Sequence, residues 1–563
     1  MVLDNYFIAD QFSLLAKLMD IHGENSFKAK AYSAAAYTIE KLPQQVSEID
    51  VNKLSSIKGI GDSAAKKIVE ILQTGELKVL TDLIAKTPPG IMEMLSIKGI
   101  GPKKIATIWK EMEIESLGEL LYACNENRLT LYKGFGEKTQ KNVQEAIEFY
   151  LSNIGSYLFA QIESYAEAIT QKLKSSFEDF EFLITGDFRR HVETIDTLQW
   201  VTNLPVPALQ GFMLTNNFVA GEETTDFICY KGDENILLKF YHVSKENRYK
   251  KLFETSCSEI FLNEWNKIFP QWKEKNYAEE EEIFSAAGTS FIPSFLREKE
   301  NIIHLAKENK IPEAILPNDI TSIIHSHSKW SDGANTIEEM AKEAIARGLQ
   351  FLVISDHSKS AFYANGLSVE RIQAQHAEVD ELNAKFAPFK IFKSIESDIL
   401  NDGSLDYDDT ILASFDLIIA SVHSNLKMNE EKAMMRLMTA ISNPYTNILG
   451  HATGRLLLSR NGYPVDHKKI IDLCAEKNVV IELNAHPRRL DMDWRWIDYC
   501  VEKNVLISID PDAHSLAGFN DTRYGVLAAQ KAGLTKLQNL SSFSLQQFQE
   551  WLSIQHKKGG ANK

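Results

Sequence analysis

Cysteine is scarce and scattered, with five in 563 residues (Cys124, Cys229, Cys257, Cys474 and Cys500) and no Cys-x-x-Cys pair. That distribution indicates neither a disulfide framework nor a thiolate zinc site, and it fits a reducing compartment. An excess of positive charge is missing too. Lys and Arg number 61 against 77 Asp and Glu, a net charge of −16, which argues against general basicity as the source of any nucleic-acid affinity. No apolar run approaches the roughly 20 residues of a membrane span, and the start, MVLDNYFIAD, is acidic where a secretion signal is basic. The expectation is a soluble, cytoplasmic, monomeric protein with no membrane partner. What the chain does have is bulk: at 44% hydrophobic residues it is too long for one core, so three or four domains are expected.

The acidity is uneven. Residues 1–150 hold 18 Lys and Arg against 20 Asp and Glu, leaving −14 of the −16 to the other 413 residues. Within that near-neutral region a pattern recurs three times, in SSIKGIGDSAAKKIVEIL, LSIKGIGPKKIATIWKEM and LYKGFGEKTQKNVQEAI. Each copy reads Lys, Gly, apolar, Gly and then an amphipathic helix: Lys58, Gly59 and Gly61; Lys98, Gly99 and Gly101; Lys133, Gly134 and Gly136. Glycine permits positive φ and close backbone approach, so the amides opening the next helix can face a phosphate that the helix dipole also favours. These are the features of a helix-hairpin-helix, which holds DNA backbone without reading bases. The nine residues are the candidate DNA contacts, and the expected partner is gapped or 3'-ended duplex bound without sequence preference.

Residues Asp10 to Leu42 have helical periodicity, with Lys28 and Lys30 near a helix start. Together with the first repeat this stretch resembles the small lyase-type domain of family X DNA polymerases (residues 1–90), and the next two repeats resemble the fingers (91–151). Lys67 falls where some members carry a Schiff-base lysine; a solvated helix lysine is the simpler reading. Residues 152–288 would then be palm and thumb, and FLITGDFRRHVETIDTLQW resembles the nucleotide-binding strand and turn of that family. The family pattern is Gly-Ser-x-Arg-Arg followed by two aspartates, with a third carboxylate on a later strand. Here Asp187 stands in place of the serine, Thr197 and Gln199 in place of the two aspartates, and Lys239 in place of the third carboxylate, while Arg190 is kept beside Arg189. Two-metal phosphoryl transfer needs carboxylates, and Thr, Gln and Lys cannot replace them. The palm is expected to be degenerate and inactive in synthesis.

A charged, proline-containing run at 289–320 reads as a linker. Beyond it, short apolar runs alternate with helical stretches: TSIIHSH, LQFLVISDH, KIFKSIES, DLIIASVH, TNILGH, VVIELNAH and VLISIDPDAH. Seven such strands predict a β/α-repeated barrel over 321–555, followed by a flexible tail at 556–563. Nine residues sit at or just beyond strand ends: His325, His327, Asp332, His357, Glu396, His423, His451, Asp512 and His514. The period of two in a strand puts both imidazoles of His-x-His on one side, and a parallel barrel gathers its strand ends around one cavity. A metal centre is the reading that accounts for all nine.

This segment resembles the polymerase and histidinol phosphatase domain, PHP, a distorted (β/α)7 barrel. The resemblance implies three metals: one on His325, His327, Glu396 and Asp512, a second on Glu396, His423 and His451, and a third on Asp332, His357 and His514. Imidazole and carboxylate donors suit manganese, zinc or iron. Arg455 is a candidate to meet a phosphate, with pairing to a loop carboxylate as its structural alternative; Glu396 and His514 complete the candidate catalytic residues. The assembly resembles a bacterial or archaeal family X polymerase with a carboxy-terminal PHP domain. That resemblance implies a metal-dependent phosphoesterase of base excision repair, either a 3'-to-5' exonuclease or an enzyme processing 3' ends or abasic sites. A phosphatase of a small phosphorylated metabolite and a non-catalytic DNA-binding scaffold are the alternatives.

Overall fold

Apolar residues recur every three to four positions along Asn5–His22 and Ser26–Glu40, and the two helices bury those stripes against each other, with Phe12 edge-on to Tyr32. Asp4 and Asn25 cap their amino ends, and Gly23, at φ 73°, closes the first helix. In this computed structural model, which describes residues 3–125, 128–152, 155–232, 235–458 and 461–560, they begin the first of two compact units, Met1–Ile154 and Gly155–Lys563.

All three glycine turns of the first unit share one geometry. Gly59, Gly99 and Gly134 have φ of 99°, 91° and 92°, a region that L side chains rarely enter. Gly61 and Gly101 cap Asp62–Thr74 and Pro102–Lys110 without any side-chain hydrogen bond, and Gly136 precedes Glu137–Ser152. Lys58, Lys98 and Lys133 are exposed on these turns. At Gly59 the close approach is explicit, since a Cβ there would lie 2.2 Å from Thr38 Oγ1.

The second unit opens with a five-stranded sheet in the order Phe182–Thr185, Thr197–Thr202, Leu237–His242, Phe227–Lys231, Val219–Glu223; only the second and third of these strands run parallel. Trp200 stacks on Phe240 in its core. An aromatic cluster follows, with Phe253, Phe261, Trp265 and Phe284 meeting edge-on, tilted or stacked. The 289–320 segment, read as a linker, packs onto this cluster through Ile292, Leu296, Ile302 and Ile303, because its charges are interleaved with enough apolar residues to be buried. Glu280 lies beneath, accepting from Arg189 at 2.9 and 2.7 Å and from the fully buried Arg297 at 2.7 Å.

The last region is a seven-stranded, fully parallel sheet. Its strands, Ser322–Ile323, Phe351–Ile354, Lys390–Asp398, Leu417–Ser421, Ile448–Leu449, Val480–Asn484 and Ile507–Asp510, are adjacent in chain order. They are buried almost throughout, as parallel strands covered on both faces should be. The two edges meet just past the strand ends: His327 N donates to Ala513 O (2.8 Å) and Ala513 N to His325 O (3.2 Å), nearly closing a barrel. At the opposite mouth the helix Leu545–Gly560 covers the strand starts, with Phe548 stacked 4.4 Å from Phe351. Residues 556–560, expected in a tail, therefore belong to this helix, where His556 bonds Asp416 O at 2.8 Å and Lys558 bonds Lys477 O at 2.9 Å; residues 561–563 lie outside the described part.

Glu280 offers a stability test. Burial raises its carboxyl, but Arg189 and Arg297 outweigh burial and hold it down to about 2. A depressed carboxyl adds stability above its ordinary 4.5 and loses it as pH falls towards 2. Glu280→Gln should cost about 3 kcal/mol at neutral pH, because Arg297 is left charged and buried. Denaturant unfolding should show the gap from wild type closing as pH drops below 4.5.

Candidate metal centre

The strands of the barrel deliver the nine predicted residues to one mouth. Glu396, fully buried on the third strand, is the centre of the group. Its Oε1 lies 3.0 Å from His451 Nε2, 3.1 Å from His423 Nε2 and 3.4 Å from His325 Nε2; its Oε2 lies 2.9 Å from His357 Nδ1 and 3.6 Å from His327 Nε2. Asp512, at φ 52° just past the seventh strand, reaches His327 at 3.0 Å and His325 at 3.5 Å. Asp332 and His514 are 3.4 Å apart on the more open side, each about one-third exposed, whereas His325 and Glu396 form the closed floor.

Three groupings of ligand atoms are compact enough for an ion: His327, Asp332, His357 and His514; His325, His327 and Asp512; and His357, Glu396 and His423. They contain eight of the nine residues, and the ninth, His451, abuts Glu396. Membership is shared more widely than the resemblance implied, since His327 and His357 each fall into two groups. The donors fit divalent cations on their own terms. Among the described residues, His325 Nε2 and Glu396 Oε2 are buried and meet only other members of the cluster, without a well-aligned hydrogen bond, an arrangement that a bound cation would satisfy. Burial pulls His327 down to about 3 and His451 to about 4, keeping both imidazoles neutral and able to donate a lone pair.

Outer contacts fix which nitrogen faces inward. His325 Nδ1 bonds Glu482 at 2.6 Å, His423 Nδ1 bonds Asp398 at 2.5 Å, and His514 Nδ1 donates to Asp512 O at 2.9 Å. Each pairing turns Nε2 towards the cavity. Glu482, raised to about 7 chiefly by burial and drawn back by His325, also accepts from the His451 amide at 2.5 Å. Asp356 organises the loop that carries Asp332, accepting from Ser328 Oγ at 2.6 Å and Ser331 Oγ at 2.5 Å.

Sequence reasoning missed Glu482, Asp398, Asn484 and Arg489. The sixth run, VVIELNAH, ends on His486, whose Nδ1 accepts from Arg488 N at 3.2 Å, whereas the strand itself supplies Glu482 to His325 and Asn484 to Asp512 at 3.1 Å. Arg455, the candidate phosphate contact, takes its structural alternative. It pairs with Asp493 at 2.6 Å and donates to Arg489 O at 3.0 Å and to Leu490 O, leaving Arg489, with Nε 3.7 Å from Asp512, as the guanidinium nearest the cluster. The basic pair in HPRR, just past the end of a barrel strand, was the available signal.

In the palm, register settles where the substituted residues stand. Thr185, Gln199, Lys239 and Cys229 form one row across four strands, with Thr197 opposite Leu237. The Gln199 side chain lies so close to Gly186 that a Cβ there would sit 2.6 Å from it, and Lys239 Nζ lies 3.9 Å over the Phe227 ring. Arg190 pairs with Asp187 and, at 3.2 Å, with Glu298, which Lys531 of the barrel also contacts at 2.8 Å.

A seven-stranded parallel barrel with histidines and carboxylates at its strand ends defines a PHP-type metallohydrolase fold, and residues 324–486 match the PHP domain. Residues 4–77 match a helix-hairpin-helix domain and 91–148 a SAM-like helix-hairpin-helix tandem. The chain is 32% identical to the DNA polymerase/3'-5' exonuclease PolX of Bacillus subtilis (strain 168), over 96% of this chain and 97% of that protein. It belongs to the family X DNA polymerases that carry a PHP domain. Over 28% of its length it is also 29% identical to a probable phosphatase of Caldanaerobacter subterraneus subsp. tengcongensis, covering 60% of that protein, and 30% identical to one of Thermoanaerobacter sp. (strain X514), covering 62%.

Glu482→Gln should leave the fold intact and weaken manganese binding by about 10- to 100-fold, the scale on which outer-shell partners act. Calorimetric titration of metal-stripped protein measures this, and unchanged affinity would remove Glu482 from the metal centre.

Proposed function

We propose that this protein trims or unblocks 3' ends of DNA by metal-dependent hydrolysis in the barrel, gripping the duplex through its hairpins, and that it does not synthesise DNA. The observation that carries this reading is a contrast between two sites in one chain. Eight ligand-type residues converge around Glu396, while the palm has Thr197, Gln199 and Lys239 where carboxylates would be needed. The name of the full-length Bacillus relative supports both the substrate and the direction of cutting.

The ligand sets follow the resemblance: His325, His327, Glu396 and Asp512 for one ion, Glu396, His423 and His451 for a second, Asp332, His357 and His514 for a third, with His327 near enough to serve the third as well. Divalent ions held there supply Lewis acidity towards the phosphoryl oxygen, a water acidified towards neutral pH, and charge shielding for the leaving oxygen. The protein's own residues do the positioning. Glu482 and Asp398 keep Nε2 of His325 and His423 aimed at Glu396, and the open Asp332–His514 side admits the strand. Arg489 supplies a fixed cation beside Asp512, and Arg455 holds the loop on which Arg489 sits. The hairpins, with Lys58, Lys98 and Lys133 beside exposed glycine turns, hold backbone phosphates without reading sequence. The probable-phosphatase relatives favour a second reading, hydrolysis of a small phosphate ester, but they match the barrel segment alone and leave the hairpins without a purpose.

Purified protein with manganese should shorten a 3'-recessed, 5'-labelled strand, and His325→Ala or Asp512→Ala should lower the rate by at least about a hundredfold. Full activity in both variants on a sequencing gel would sink the site. In the Asp512→Ala background, where hydrolysis no longer erases product, a gapped primer with magnesium and all four nucleotides should stay unextended. Templated extension there would overturn the degenerate palm, with Asp196 the first residue to examine.

A further inference from the structure

The loops that follow the third and fourth barrel strands carry Asp398 and His423 and then continue to a pocket of about 330 Å³ beyond the metal centre. Lys427, Lys432 and Arg436 line it together with Asn401, Asn425 and Asn429, and its lining contains no carboxylate. Asn425 lies two residues past His423 and Asn401 three past Asp398; the two bridge the loops, Asn425 Nδ2 donating to Asn401 Oδ1 at 3.2 Å.

The inner wall is Arg436, fully buried on the helix Glu430–Ser442. Its guanidinium donates to Leu400 O (3.0 Å), Ser424 O (3.0 Å) and Ile399 O and, among the described residues, has no carboxylate within ion-pair distance. The carbonyls satisfy its N–H groups without neutralising its charge, and a buried cation without a counter-ion is costly. Desolvation accordingly lowers the Arg436 pKa, with Tyr463 and then Asp398 acting against it without an ion pair. Lys427 and Lys432 add two exposed cations at the rim. Asp402, the carboxylate that senses Lys432, is turned onto Ser404, accepting from its amide at 3.0 Å and its hydroxyl at 2.6 Å.

We propose that this pocket is a phosphate subsite, taking a backbone phosphate of the strand being cut, next along from the bond presented to the metal centre. Arg436 provides the fixed field from below, Lys427 and Lys432 contact the phosphate oxygens, and Asn425 presents an amide beside them. The loops that build the pocket also hold His423 and Asp398, so a phosphate seated there fixes the strand relative to Glu396. The subsite rests on the reading of DNA as the substrate; a small phosphate ester has no second phosphate to place in it.

The test pairs protein variants with chemically altered strands. In 5'-labelled, 3'-recessed duplexes, one phosphate at a time near the terminus is replaced by an uncharged methylphosphonate, and cutting is measured with manganese by the wild-type protein, Lys427→Gln and Lys432→Gln. Both lysines are exposed, and circular dichroism verifies that the variants fold. For the wild type, one internal methylphosphonate position should raise KM about tenfold with kcat changed less, the scale of one lost phosphate contact. Each variant should raise KM similarly on the unmodified strand and be indifferent to that same methylphosphonate, and Lys432→Arg should restore the wild-type pattern. If the variant and methylphosphonate effects simply multiply, or if the variants behave as wild type, the subsite is wrong while the DNA reading stands. An unmodified strand left uncut by the wild-type protein would overturn that reading, and the subsite with it.

Discussion

The barrel depends on a solution to one electrostatic problem: how to keep Glu396, Asp512 and Glu482 buried together. Any one of these carboxylates would be expensive to desolvate alone, and three near one point repel one another. Six imidazoles gathered from five strand ends surround them, and Glu396 alone has five within 3.6 Å. Imidazoles offset part of the charge, but those at His327 and His451 are driven neutral by burial. Divalent cations are the partners that such a donor set accepts. Strand order, closure between His327 and Ala513, and the outer contacts to Nδ1 atoms all serve to hold this cluster at fixed spacing.

The palm shows the converse. Where the family pattern has carboxylates, neutral and basic side chains pack against their neighbours. Gln199 rests against Gly186, and Lys239 lies over an aromatic ring. Asp187 draws on Arg190, which in turn reaches Glu298 and through it Lys531 of the barrel. Residues at the position of a nucleotide pocket now join palm to hydrolase, alongside the Arg523–Glu163 pair.

Much of this was legible in the sequence because it obeys short-range rules. The seven strands were found where apolar runs met helical stretches, and each of the three Lys-Gly-x-Gly copies adopted the positive φ that its glycine announced. The nine ligand residues were visible because a period of two and a strand-end location suffice to predict convergence. What escaped had no local signature. Glu482 looks like any polar interruption of a buried strand, and its value comes from His325, 157 residues earlier. Arg455 and Arg489 lie in neighbouring loops, and which of them faces the cluster was decided by Asp493, a contact that spacing does not encode. The 289–320 segment misled for a related reason, since charge and proline suggested a spacer while four well-placed aliphatic residues were enough to bury it.

The seam of the barrel has a consequence for biosynthesis. His325 and His327 leave the ribosome early in the barrel's synthesis, but Asp512, their partner at the cavity floor, comes 185 residues after His327, and the helix that covers the strand starts comes later still. Throughout that interval a nascent chain already carries its three helix-hairpin-helix turns and the whole palm. The order of elements along the chain leaves the metal centre incomplete until the barrel is almost complete.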